Sequence, residues 1–243
     1  MSGETAKCEA LCLAIYPWSR TSHVVVWLAP SGIVKTVVKG AVRPKSFFLG
    51  QYDLNYVCQI VYYLRERGNL HALRECVPCK IREMLRGNFR ALVLAGYVRS
   101  LVLELASEGA ESVAWYNLAD DIVSRLEHCS SPCELLFCMV DFELEAMRLA
   151  GVMPDFSGYD PAAEWSAFSV SSGSFADESS GRSLRIKTQT ARWLESPGKS
   201  HDMQILLDAS RVIGVFYQFH LDCAVETRRE VLKLILQNDN EKV

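Results

Sequence analysis

The sequence predicts an α+β fold in which a small N-terminal β-barrel, residues 1–80, is followed by an all-helical domain, residues 81–243, with an irregular insert at about 155–200. Three observations carry that expectation. Short β-branched and aromatic runs cut by turn residues fill the chain from residue 8 to about 79. From residue 88 the apolar residues recur at helical spacing instead. Between helical stretches, residues 155–200 lose periodicity and become rich in Ser, Gly and Asp. A chain of 243 residues with 49% hydrophobic content can fill one large core or two modest ones.

The strands follow in order. Residues 10–16 form the first. Residues 23–29 (HVVVWLA) and 33–38 (IVKTVV) form a hairpin whose turn is Pro30, Ser31 and Gly32, with Pro early and Gly late. Residues 51–64 and 70–79 read as later strands, and about five short strands in 80 residues suggest a small barrel. The first helix spans 88–107 and stops at Gly109; the second spans 112–127, with Ala114, Leu118, Ile122 and Leu126 at helical spacing. The third, 131–150, has the clearest start, because Ser131 caps, Pro132 suits the first helical position and Glu134 completes a capping box. Gly151 and Pro154 end it. The polar segment SVSSGSFADESSG, 169–181, is a loop, and helical patterning resumes from about 202 to 237 as two helices meeting near Asp222.

Charge and cysteine usage limit the function classes. The net charge of −3 hides an asymmetry: residues 1–110 hold 14 Lys and Arg against 8 Asp and Glu, whereas residues 111–243 hold 12 against 21. The basic charge is front-loaded, which hints at a polyanion facing the N-terminal part. No secretory signal is expected, since Lys7 and the short apolar run 10–15 give way at once to Pro17, Trp18, Ser19 and Arg20. No apolar run reaches the length of a membrane span, so a cytoplasmic, nucleoid-associated location is expected, with no membrane contact. Nine cysteines, an odd number in a large chain, are expected to be mostly reduced thiols, with Cys12, Cys58, Cys138 and Cys223 inside apolar runs.

No signature of bond chemistry stands out. The five histidines, His23, His71, His128, His201 and His220, lie in no recognisable nucleophile motif, and phosphate-cradling glycine loops are missing. The chain is therefore read as no enzyme. Zinc is conceivable from Cys76 and Cys79 with His128, Cys129 and Cys133, but the long gap and the position of the second group at a turn favour ordinary cysteines. A better lead is the hairpin itself. Arg20, Lys35, Lys39, Arg43 and Lys45 fall on or beside it, with Trp18, Trp27, Phe47 and Phe48 as aromatic faces. Cations neutralise phosphates and exposed aromatics stack unpaired bases; the plain alternative is a solvated strand face over core aromatics, and Trp27 reads as core.

The segments YPWSRTSHVVVWL, 16–28, and SGIVKTVVKGAVRPKS, 31–46, with Lys39, Gly40, Ala41 and Arg43, resemble the opening barrel of the RecO family of bacterial recombination mediators. Asp141, Phe142, Glu143, Leu144, Met147, Leu149, Gly151 and Pro154 resemble a helix of the same family, and residues 226–231 resemble its C-terminal helix, with Thr227 in place of Ser. The resemblance implies an OB-type barrel, a helical domain, binding of single- and double-stranded DNA, annealing of complementary strands, and work with RecR and single-stranded-DNA-binding protein in loading RecA onto gaps. It implies no cofactor. Many RecO proteins carry a four-cysteine zinc module after the Gly-Pro step, but residues 155–200 contain no cysteine. No metal is then expected, and packing of Phe156, Tyr159, Trp165 and Phe168 is expected to hold this degenerate, zinc-module-like insert.

On that reading Trp18, Arg20, Lys35, Lys39, Arg43 and Lys45 contact DNA. Arg82, Arg86 and Arg90 extend the track if they share one helical face, although Gly87 weakens a helix there. The C-terminal tail of single-stranded-DNA-binding protein would dock on the helical domain, with Arg125, Arg148, Arg211 and Arg228 as the candidate cations. The rival is a non-catalytic interaction scaffold of the same fold that has lost DNA binding, and a hydrolase on DNA comes third.

Overall fold

Strand β1, Thr5–Ser19, is long enough to pair twice: residues from Thr5 to Leu11 lie against β4, Val57–Tyr63, and residues from Leu11 to Ser19 against β2, Ser22–Ala29. Irregularities between Cys12 and Ala14 and between Pro17 and Ser19 give the local bend that such a turn between partners requires. With β3, Gly32–Val38, and β5, Leu70–Lys80, the strands close a barrel in the order β1-β2-β3-β5-β4; β3 and β5 form its parallel pairing. This computed structural model describes residues 4–65, 68–106, 112–175, 183–198, 202–221 and 225–237. The OB-type barrel that the sequence predicts is thus present, with β4 starting later than expected, because residues 51–56 form turns around a left-handed Asn55.

Alternation along β2 sorts the barrel's two faces. Val25, Trp27 and Ala29 point into a core shared with Ala10, Cys12, Val34, Val38, Cys58 and Ile60. There the Trp27 indole N–H donates to the Thr36 hydroxyl at 2.9 Å. On the other face α3, Ser112–Leu126, packs over β1, β2 and β3, and its Tyr116 hydroxyl donates to Glu9 at 2.7 Å.

The chain divides into two compact units, Met1–Asn88 with Val98–Glu127, and Phe89–Tyr97 with His128–Val243. The first holds the barrel, the short α1, Glu83–Arg86, and α3. Helix α2, Phe89–Leu105, contributes Phe89–Tyr97 to the second unit and its remainder to the first. In the second unit α4, Pro132–Leu149, packs against α6, Met203–His220, and α7, Val225–Leu236. Among the described residues no helix is long and apolar enough to cross a membrane.

The expected helices appear where the periodicity puts them, whereas Gly109, Asp222, Cys223 and residues 176–181 of the polar loop lie outside the described residues. The segment 155–200 is less irregular than its composition predicts. It holds a three-stranded sheet of β6, Trp165–Ser169, β7, Ser174–Phe175, and β8, Ser183–Lys187, followed by α5, Thr188–Glu195. The strands escape sequence reading because β7 and β8 flank the Ser/Gly-rich stretch and none exceeds five residues. Phe156 stacks on Phe168 at 5.4 Å, Phe168 meets Phe175 edge-on at 5.4 Å, and Tyr159 meets Phe175 at 6.0 Å. Trp165 does not join this stack.

The start of α4 is built as its sequence specifies. Ser131 Oγ accepts from the Glu134 amide at 3.2 Å, and Glu134 Oε2 accepts from the Ser131 amide at 3.0 Å and the Ser130 amide at 2.7 Å. Hydrogen bonds from Ser130 and then Ser131 hold the Glu134 carboxyl below its usual value. A depressed carboxyl contributes stability above its unfolded value, near pH 4, and loses that contribution as pH falls through the folded value. Ser131→Ala is expected to cost about 1 kcal/mol in urea unfolding at neutral pH. The gap between the native chain and Glu134→Gln should shrink as pH is lowered below about 4.

Candidate nucleic-acid interface

The end of the barrel at the β1–β2 turn gathers most of the cations that the hairpin suggested. Arg20 sits in that turn, and Trp18, 63% exposed, precedes it at the end of β1 beside an irregularity. The chain leaving β3 returns to the same turn, since the Gly40 amide donates to the Ser22 hydroxyl at 3.2 Å and the Val42 amide to the Thr21 carbonyl at 3.3 Å. Gly40 has φ 67°, a left-handed conformation that a side chain would strain, and it turns the chain so that Lys39, Arg43 and Lys45 stay exposed. The Arg43 amide donates to Gly40 and the Ser46 amide to Arg43, so consecutive turns fix this loop. Trp18, Arg20, Lys39, Arg43 and Lys45 therefore cluster around one end.

Lys35 lies apart, exposed on β3 opposite Val26, four residues before Lys39 and so about 13 Å along the strand. It borders a surface groove of about 530 Å³ with Tyr16, Val24, Val26, Ile33 and Leu103. Sequence reasoning did not single out Tyr16 or Ile33 as groove residues. The outward alternation of Val24, Val26 and Lys35 was the available signal. Trp27 is fully buried and belongs to the core, whereas Phe47 is 94% exposed beside the basic loop.

The three arginines at the barrel exit do not form one stripe. Arg82 has a left-handed backbone, φ 53°, and caps α1; Gly87 ends that helix, and α2 begins only at Phe89. Arg82 is 7% exposed. Its guanidinium is engaged by Asp120, by Glu127 at 2.9 Å and by the Ser124 hydroxyl at 2.7 Å, so it ties β5's end to α3 and leaves the surface track. Arg86 is exposed and meets Asp53 at 3.0 Å and the Tyr56 hydroxyl at 2.9 Å. Arg90 donates to the Gln237 carbonyl. These ties form because acidic and carbonyl partners far off in sequence fold alongside them.

The candidate partner-docking arginines also separate. Arg125, on α3 in the first unit, meets Asp121 at 3.5 Å. Arg148 pairs with Glu145 on α4, and Arg211 on α6 donates to the Arg185 carbonyl at 3.1 Å. Arg228 is withdrawn from any surface: it is 8% exposed, with its Nε and Nη2 on the two Glu143 oxygens at 2.7 and 2.9 Å.

The cysteines considered for metal stand apart as well. Cys76 faces the barrel core and donates to the Gln51 carbonyl at 3.6 Å, whereas Cys79, three residues along the strand, is exposed. Cys129 instead lies 3.6 Å from Cys138. Among the described residues no group of three or more His, Cys, Asp and Glu is placed to hold a metal ion.

A closed small barrel with cations and an exposed tryptophan at one end, joined to helices, can hold a polyanion through charge and stacking. No curated protein matches the chain. The family model described as recombination protein O, C terminal, matches residues 86–229, which run from the end of α1 into α7 and make up more than half of the chain. With the matched helices following an OB-type barrel along the chain, the chain belongs to the RecO family, whose members mediate DNA repair and recombination without enzymatic chemistry.

Proposed function

We propose that this chain binds single- and double-stranded DNA on its barrel, anneals complementary strands and helps load RecA onto gaps together with RecR and single-stranded-DNA-binding protein. The observation that carries the proposal is the cluster of Trp18, Arg20, Lys39, Arg43 and Lys45 around one barrel end. Annealing requires no covalent bond to be made or broken. Cations that screen two phosphate backbones lower the repulsion between strands, and each neutralised phosphate releases condensed counterions. In this proposal residues 1–80 are the DNA-handling domain and residues 81–243 the partner-handling one, the chain acts in the cytoplasm, and it catalyses no reaction. Arg148 and Arg211, both exposed, are the cations offered to the acidic tail of single-stranded-DNA-binding protein.

The test is fluorescence anisotropy of a labelled single-stranded oligonucleotide at two salt concentrations. The native chain is compared with a Lys35→Ala, Lys39→Ala, Arg43→Ala, Lys45→Ala variant. All four residues are exposed, so the variant should fold. Native affinity should fall steeply with salt. In the variant, loss of four contacts should flatten the slope of log affinity against log salt by about 3. A native chain that binds a partner peptide but no DNA would instead be a scaffold of the same fold.

A further inference from the structure

The outer face of the small sheet in the second unit carries a cluster that the barrel reading does not use. Strand register places Trp165 opposite Lys187 and Ala167 opposite Arg185 on one face of the β6–β8 pair. Ile186, between the two cations on β8, is buried on the other face, as is Phe168 of β6. The Lys187 ammonium lies 5.3 Å and the Arg185 guanidinium carbon 5.7 Å from the centroid of the Trp165 ring. Arg211 of α6 donates to the Arg185 carbonyl at 3.1 Å and so braces the backbone of the same strand. Among the described residues neither Arg185 nor Lys187 is held in an ion pair with a carboxylate.

We infer that this face is a second binding site for single-stranded nucleic acid, distinct from the barrel end and formed within the second unit; the inference rests on the proposed annealing function. Two cations without acidic partners on one aromatic ring suit a phosphate backbone with bases beside it. Contact with the ring also fixes the two cationic heads before a ligand arrives, so less side-chain freedom is lost on binding. β8 is an edge of its sheet, but a peptide strand added there would meet the Arg185 carbonyl already engaged by Arg211, whereas the face itself offers charge around a single ring. An annealing protein with one strand on each site would bring two strands to one molecule without any nucleotide cofactor. The overall acidity of residues 111–243 does not prevent this, because what a phosphate meets is the local field.

The experiment uses the full chain in four forms: native, the barrel variant above, the sheet variant Arg185→Ala/Lys187→Ala, and the charge-preserving Arg185→Lys/Lys187→Arg. Lys187 caps α5 without a side-chain hydrogen bond, so the replacements leave that helix start intact. Salt-dependent binding of labelled oligothymidylate and the annealing rate of two complementary oligonucleotides are measured for each. The sheet variant should show a salt slope shallower by about 1.4, for two lost contacts, and severalfold slower annealing. The charge-preserving variant should behave as native, which separates lost charge from lost folding. A sheet variant with native slope and native annealing rate overturns the second site. If the barrel variant then fails to bind, the barrel reading stands alone; if the native chain binds no DNA, both fall.

Discussion

Glu143→Ala should be the most damaging single substitution in the helical unit, lowering stability by about 3–5 kcal/mol. Glu143 is fully buried on α4 and accepts both prongs of the Arg228 guanidinium from α7. The Tyr97 hydroxyl of α2 donates to the same carboxylate at 2.7 Å, and Tyr217 of α6 donates to the Glu143 carbonyl at 3.1 Å. The same Arg228 Nη2 also donates to Ser210, at 2.9 Å to the carbonyl and 3.1 Å to the hydroxyl. Burial works against the Arg228 charge, but the facing Glu143 carboxylate outweighs it and holds the guanidinium above its usual value. Burial, with Glu143 next in weight, pushes the Tyr97 phenol well up, so it stays a donor. Removing the carboxylate strands a buried cation, which costs far more than the pair itself contributes.

The double substitution Glu143→Leu/Arg228→Met is expected to be milder than Glu143→Ala, since it removes both charges together. Urea unfolding of the three chains checks this. A loss below about 1 kcal/mol for Glu143→Ala would mean that the pair is not a structural centre of the unit. The site also explains Gly214. A Cβ there would lie 2.5 Å from an Arg228 nitrogen, so α6 passes close to the guanidinium only because this position has no side chain.

The same pair marks the limit of what the sequence discloses. Phe142, Glu143 and Leu144 are visible as a motif, and Arg228 is visible as a cation on a helix, but 85 residues separate the partners. Local pattern places each on its helix and cannot say that one neutralises the other, so Arg228 reads as a docking residue until the fold buries it. Arg82 misleads for the same reason, since its acids, Asp120 and Glu127, come from α3. The barrel strands and α2, α3 and α4 are legible because periodicity, turns and the Ser131 cap are local properties. The sheet at 165–187 is not, since its strands are short and the pairing of Trp165 with Lys187 is a matter of register.

The two tryptophans of the first hairpin should separate stability from binding. Trp27→Ala is expected to lower stability by about 3–5 kcal/mol, because it empties the centre of the barrel core. Trp27→Phe keeps most of the volume but leaves the fully buried Thr36 hydroxyl without its indole partner, a cost of about 1–3 kcal/mol. Trp18, nine residues earlier at the exposed barrel end, should behave in the opposite way. Trp18→Ala should change stability by less than about 0.5 kcal/mol. It should weaken single-strand binding by about 1–3 kcal/mol if the ring stacks on a base. Unfolding curves and anisotropy on the same three variants give both readouts. The alternation of β2 fixes Trp27 inward, and the irregularity between Pro17 and Ser19 accompanies the exposure of Trp18. A Trp18→Ala chain that binds as tightly as the native one would leave the barrel end with charge alone, and its affinity would then be set entirely by salt.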